Sequence, residues 1–165
     1  MPTLTPRDAD FIDSASTRII TRVEVNATPD EAWQVITNNE RWPEWFPAAK
    51  ACRTTSSQAE GVGATRWIHF DLFKVNERFV AWDRPHRWAF TILDANLPGA
   101  VSVVEQALTE PLAGDRTAVT YVYAADWAPW ARPMIPILRR RLARLFKKGL
   151  AGIQGQVAKL RQEST

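Results

Sequence analysis

Between residues 49 and 125 the chain breaks into short β-type runs, and this punctuation restricts the fold more than any other feature. The runs cover about 49–55, 64–70, 73–82, 87–94, 100–109 and 117–125. Between them stand Gly61 and Gly63, then Asp71-Leu72, Arg84-Pro85, Pro98-Gly99 and Gly114-Asp115. Such closely spaced runs join as hairpins, which predicts an antiparallel meander. A further β-type run, Arg18 to Asn26, precedes them. One long helix follows, with Pro133 and Pro136 at its start, where proline is tolerated. Its Leu138, Leu142, Leu145, Phe146, Ile153, Val157 and Leu160 recur at helical spacing and form one apolar stripe. Gly149, Gly152 and Gly155 weaken its middle, and either bend it or let it approach the sheet closely.

Residues 28–47 join the first strand to the meander. Thr28 suits an N-cap, Pro29 the first helical position, and Glu31 completes a Thr-x-x-Glu capping box. Trp42, Pro43 and Trp45 close the short helix in an aromatic corner. This strand, capped helix and Trp-Pro-x-Trp corner resemble the opening of the START-like helix-grip superfamily, which includes polyketide cyclase/dehydrase and lipid-transport proteins. The likeness extends in layout over residues 18–162, with residues 1–17 left as a loosely held arm. It implies an α+β helix-grip fold. Seven curved antiparallel strands would wrap around the long C-terminal helix, with two short helices after strand one.

Composition excludes several functions. Cys52 is the one cysteine, so no intrachain disulfide or cysteine-cluster metal site forms. Two histidines make a protein-only zinc site unexpected, and no cofactor motif is present. No apolar run approaches 18 residues, and the N-terminus lacks a signal-peptide pattern, so a cytoplasmic location is expected. Eight tryptophans suggest a lined cavity or simply core bulk. The charge is lopsided. Residues 132–162 carry nine basic groups and no acid, while residues 1–131 carry a net −5.

Hairpin geometry assigns the strand faces. A two-residue turn at Asp71-Leu72 sets Arg66 opposite Glu77 and Ile68 opposite Val75. A turn at Arg84-Pro85 sets Phe79 against Phe90, Ala81 against Trp88, and Glu77 against Ile92. A loop over Asn96–Gly99 sets Phe90 against Glu105 and Ile92 against Val103. The inner face of strand six is then Val101, Val103, Glu105 and Ala107, with a bulge invoked for Leu108. Thr117, Val119, Tyr121 and Tyr123 are assigned inward on strand seven. Arg66, Glu77, Glu105, Tyr121 and Tyr123 thus stand on an apolar wall. Arg66 is a partner for Glu77, whereas Glu105 has none in the sequence, and desolvation should raise its pKa. Both carboxylates have structural alternatives: a pair that fixes the hairpin, and a glutamate at the cavity mouth.

The segments Gly63-Ala64-Thr65-Arg66, Asn76-Glu77-Arg78-Phe79 before Trp82, and Val104-Glu105 are similar to a bacterial subgroup of that superfamily with Gly-x-x-Arg, Glu-x-Phe and Val-Glu elements. The likeness implies a pocket and no particular reaction. The ligand-binding candidates are Arg66, Ile68, Glu77, Phe79, Trp88, Phe90, Ile92, Val103, Glu105, Tyr121, Leu138 and Leu142. The expected function is binding of a hydrophobic small molecule or lipid between sheet and helix. The alternative is a cyclase or dehydratase with Glu105 or Glu77 as acid–base group and Arg66 or Tyr121 holding an oxygen. A third reading is a membrane- or partner-docking protein whose pocket is filled by side chains. Trp127 and Trp130, beside the basic helix, suit peripheral contact with an anionic membrane. No nucleic-acid module is present. His69 falls on the outer face and His86 in a turn, so neither is a catalytic candidate. Cys52 is expected as a small apolar side chain.

Overall fold

The computed structural model describes residues 1–164, in which one seven-stranded antiparallel sheet holds the order β1-β7-β6-β5-β4-β3-β2. The strands are β1 (Thr17–Val25), β2 (Ala49–Thr54), β3 (Thr65–Phe70), β4 (Lys74–Asp83), β5 (Arg87–Ala95), β6 (Ala100–Leu112) and β7 (Arg116–Trp127). The helices are α1 (Phe11–Ser14), α2 (Pro29–Thr37), α3 (Trp42–Trp45) and α4 (Ile135–Glu163). Strands β2 to β7 form the expected meander, and β1 closes it by pairing with β7. The curled sheet packs its inner face on α4, with α2 and α3 after β1, which is the helix-grip arrangement.

The capping box at α2 is complete. The Thr28 hydroxyl accepts from the Glu31 backbone N–H, and the Glu31 carboxylate accepts from the Thr28 N–H. The aromatic corner is buried. Trp42, Trp45 and Phe46 pack on one another, and the Trp42 indole N–H donates to the Ile36 carbonyl at 2.9 Å.

Two of the three α4 glycines meet this corner rather than the sheet. A Cβ on Gly149 would lie 2.3 Å from the Phe46 ring, and one on Gly152 would lie 2.0 Å from the Trp45 carbonyl oxygen. A Cβ on Gly155 would meet open space. The same half of α4 is tied by polar contacts: Lys159 to Glu44, Arg161 to Glu31, and the Gln154 side chain to the Asn26 N–H.

The β3–β4 register is the expected one, with Arg66 opposite Glu77 and Ile68 opposite Val75. The β4–β5 hairpin differs. Asp83 pairs with Arg87, so the turn holds three residues rather than two, and a bulge between Phe79 and Ala81 compensates. Phe79 therefore still faces Phe90, but Ala81 faces Ala89 and Trp82 faces Trp88. The bulge lets Phe79 and Trp82 touch, and Trp82 also packs edge-on to Trp33 of α2. On β6 the irregularity lies between Ala100 and Ser102, not near Leu108. Val101 is consequently exposed rather than inward, and Leu108 is simply half-buried.

Residues 1–17 lie against the sheet. Leu4 is buried in the main core, and its N–H donates to the Leu93 carbonyl. Ile12 of α1 packs with Val104, Val122 and Ala124 in a second apolar cluster on the outer face.

Candidate functional site

The inner face of β3, β4 and β5 surrounds one cation. Arg66 is completely buried, and its Nε donates to Glu77 Oε2 at 2.6 Å across the hairpin. Its Nη1 donates to Asn39 Oδ1 at 3.1 Å. Asn39 sits in the short 3₁₀ turn at Asn39–Arg41, and its Nδ2 donates to Thr54 on β2 at 3.0 Å. The guanidinium carbon lies 4.2 Å from the ring centre of Trp42, 4.7 Å from Phe90, 5.1 Å from Phe79 and 5.4 Å from Trp88. Ring faces attract a desolvated cation, so this cage offsets part of the burial cost. Burial works against the Arg66 charge, but its neighbours, chiefly the Glu77 carboxylate, together outweigh it and raise the guanidinium pKa. Burial likewise pushes Glu77 up, against the pull of Arg66.

Beside this pair lies a cavity of about 30 Å³ between sheet and α4. Glu77, Glu105, Tyr121 and Tyr123 give it polar atoms. Phe90, Ile92, Val75, Phe70, Phe73 and Trp42 line it from the sheet side and the aromatic corner. Leu142, Leu145 and Phe146 roof it from α4, and Leu97 adds the β5–β6 loop. Such a volume holds roughly one or two waters.

Glu105 is buried, and its carboxyl accepts a hydrogen bond from the Tyr121 hydroxyl. Burial, with the nearby Glu77 charge, pushes Glu105 up to about 8 although Tyr121 opposes this. Burial and the Glu105 charge raise Tyr121 and Tyr123 well above the ordinary phenol range. The Tyr123 hydroxyl, the Trp88 indole N–H and Arg66 Nη2 are buried without a hydrogen-bond partner among the described residues. The site therefore has spare donor capacity, and a buried donor without an acceptor is costly.

Six of the sequence candidates line the cavity: Glu77, Phe90, Ile92, Glu105, Tyr121 and Leu142. Arg66, Phe79 and Trp88 stand behind them in the ring cage. Ile68 and Val103 are fully buried in the core, and Leu138 lines a neighbouring groove with Leu97, Pro98, Trp127, Ala131, Met134, Ile137 and Arg141. Sequence reasoning did not single out Asn39, Trp42, Phe46, Phe70, Phe73, Val75, Leu97, Leu145 or Phe146 for the site. For Phe70, Phe73 and Val75 the signal was present, since the β3–β4 register puts them on the face of Arg66 and Glu77, and for Leu145 and Phe146 too, since both belong to the α4 stripe. Cys52 is buried opposite Ile68, and burial pushes its thiol up to about 12, so it is an inert apolar side chain.

Residues 16–158 match the model of the polyketide cyclase/dehydrase and lipid transport family. The chain belongs to this family. Hydrophobic-ligand binding and polyketide cyclase activity are what the family is known for. An uncharacterised protein of Mycobacterium tuberculosis is 23% identical over 145 residues, covering 87% of this chain and 86% of its own. Two solved structures show the same fold. A START superfamily protein from Mycobacterium smegmatis superposes with a TM-score of 0.70 at 15% identity, covering 87% of this chain and 98% of its own. The Zhui aromatase/cyclase from Streptomyces sp. R1128 also superposes with a TM-score of 0.70, at 17% identity, covering 87% and 94%. No described helix is long and apolar enough to cross a membrane.

Proposed function

We propose that this family member binds a hydrophobic small molecule or lipid in the cavity between sheet and α4. One observation carries the reading: the cavity is apolar except for one polar wall, and its roof is fastened only by apolar contacts. Among the described residues, no side chain of 135–148 makes a hydrogen bond or ion pair with the sheet. The C-terminal half of α4, by contrast, is pinned at Gly149, Gly152, Gln154, Lys159 and Arg161. Ligand pockets commonly measure about 300–1,000 Å³. The roof of Leu142, Leu145 and Phe146 therefore swings outward on the pinned half to admit a ligand. The Tyr123 hydroxyl then donates to an oxygen of that ligand.

Nile red, a neutral apolar dye, tests this. It should bind with at least micromolar affinity. Leu145→Glu on the half-buried roof, and Phe90→Asp in a variant shown to be folded, should each abolish binding. Unchanged binding in both would place the site elsewhere. Native mass spectrometry of the purified protein should also reveal a co-purified lipid.

The Glu105–Tyr121 contact favours a second reading, a cyclase or dehydratase. A carboxyl pushed up to about 8 is a proton donor near neutral pH. It would protonate a ligand oxygen, and the resulting carboxylate would take a proton from carbon. The fold is shared with an aromatase/cyclase, so it is compatible with this chemistry. Under it, Glu105→Gln would bind ligand normally and convert none.

A further inference from the structure

Three connections meet at one end of the sheet: the β3–β4 turn, the β5–β6 loop and the β7–α4 segment. This is also the end where Phe73 and Leu97 border the cavity. Large apolar side chains project from it into solvent. Leu72 is 84% exposed, Trp130 63%, Met134 61% and Ile137 60%. Met134 and Ile137 line an apolar groove with Leu97, Pro98, Trp127 and Leu138, and the Trp130 ring lies beside Gly99 of the same loop. Single exposed apolar residues need no explanation, but several gathered at one tip do.

The charge begins at the same tip and runs along the first half of α4. Arg132, Arg139, Arg140, Arg141, Arg144, Lys147 and Lys148 are all exposed. None of the seven makes an ion pair among the described residues. Farther along α4, Lys159 and Arg161 are paired with Glu44 and Glu31. The unneutralised charge of α4 thus belongs to its N-terminal half. The acids nearby are engaged: Asp71 with Lys50, Asp94 with Asn76, and Asp126 with the Ser16 N–H. Cations at a helix N-terminus also oppose the macrodipole, and α4 has no acid in its first turn and no side-chain cap. The arrangement is unfavourable for the isolated helix, and an external anion relieves it.

The geometry points to this tip as a docking surface for an anionic phospholipid bilayer. Trp130, Met134, Ile137 and Leu72 enter the interfacial layer, and the arginines and lysines lie against the headgroups. A bilayer satisfies both halves of the surface at once, apolar points within a basic field. A nucleic acid or a soluble polyanion would leave the apolar points in water. The docked orientation aims the groove, and through Leu97 the cavity, at the membrane. Docking itself is independent of any cavity ligand.

Co-sedimentation with vesicles tests the proposal. The full chain should bind vesicles of 70% phosphatidylcholine and 30% phosphatidylglycerol at low salt, bind far less in 0.5 M NaCl, and ignore pure phosphatidylcholine. Replacing Arg140, Arg144 and Lys147 by glutamine should weaken binding roughly hundredfold, at roughly fivefold per charge. Replacing Arg22, Arg53 and Arg78 by glutamine removes the same net charge elsewhere and should leave binding within about twofold, screened as distant charges are. Trp130→Ala with Ile137→Ser should weaken binding at every salt concentration, whereas Val62→Ser at the far end should not. Equal loss in the two charge triples would reduce the effect to net charge and overturn the assignment. Equal binding to neutral vesicles, no binding at low salt, or tighter binding to a 20-base-pair DNA would overturn it as well. Nile red binding by the Arg140/Arg144/Lys147 variant should stay intact, which keeps this result separate from that for the cavity.

Discussion

Arg66 and Glu77 face each other across the β3–β4 hairpin at 2.6 Å, both completely enclosed. Their companions include Asn39 and the aromatic rings around Arg66. Breaking such a pair leaves one charge buried without its counter-ion, at a cost of about 3–5 kcal/mol. Arg66→Met and Glu77→Gln should each show this loss in denaturant unfolding. The double variant should cost less than the sum of the two, since neither charge is then stranded. Single losses under about 0.5 kcal/mol, as at a surface site, would contradict the burial.

The pair was legible in the sequence because the Asp71-Leu72 turn fixes the register, and alternation then fixes the face. The same logic failed at Ala81 and Trp88. Nothing at Val80 marks a bulge, and Arg84-Pro85-His86 gives no sign that the turn holds three residues. Phe79 against Phe90 came out right because bulge and turn cancel between them. Asn39 was invisible for another reason. Its bond to Arg66 depends on how α2, the 3₁₀ turn and β2 pack, and a polar residue in a turn ordinarily reads as solvated. The outward face of the basic helix was legible from the α4 stripe alone. The small volume of the cavity was not, since it depends on how far Phe46, Phe146 and the two tyrosines interpenetrate.

Glu105 makes stability depend on pH in an unusual direction. Its pKa rises from an ordinary 4.5 to about 8 in the folded chain. Below pH 4.5 both states hold the proton, and the group is neutral to stability. Between 4.5 and about 8 the unfolded chain releases the proton while the folded chain keeps it, so stability falls as pH rises. The total is on the order of 5 kcal/mol. Glu105→Gln should flatten the slope of unfolding free energy between pH 5 and 8. Tyr121→Phe should extend the fall to higher pH, since the phenol's hydrogen bond holds the Glu105 pKa down. An identical slope in all three proteins would mean that Glu105 is not enclosed.

Glu31 acts in the opposite direction at the acid end. Its carboxylate accepts from Arg161 and from the Thr28 N–H and is lowered to about 2, the Arg161 contact contributing most. This stability is present above about pH 4.5 and disappears as the pH falls toward 2. The carboxylate is partly exposed, so screening limits the effect to about 1 kcal/mol. Glu31→Gln should lower stability at pH 6 and have little effect at pH 2.5. An undiminished effect at the lower pH would mean that the loss comes from packing rather than charge.

The three α4 glycines should respond differently to alanine. In an open helix the change is worth about 1 kcal/mol in favour of alanine. Gly155 is that case, because a Cβ there meets nothing, and Gly155→Ala should raise stability by up to that amount. Gly152→Ala sets a methyl 2.0 Å from a backbone carbonyl of α3, which cannot rotate away. Gly149→Ala sets one 2.3 Å from the Phe46 ring, itself locked against Trp42 and Trp45. Overpacking of this kind costs about 1–3 kcal/mol, which outweighs the propensity gain at both positions. Chemical denaturation of the three single variants should place Gly155→Ala above the wild type and the other two below it. Gly152→Ala should be the worse of the two, because a ring can tilt and a main chain must move with its helix. A stable Gly152→Ala would mean that α4 stands farther from the aromatic corner, and the pinned half of the proposed hinge would then be lost.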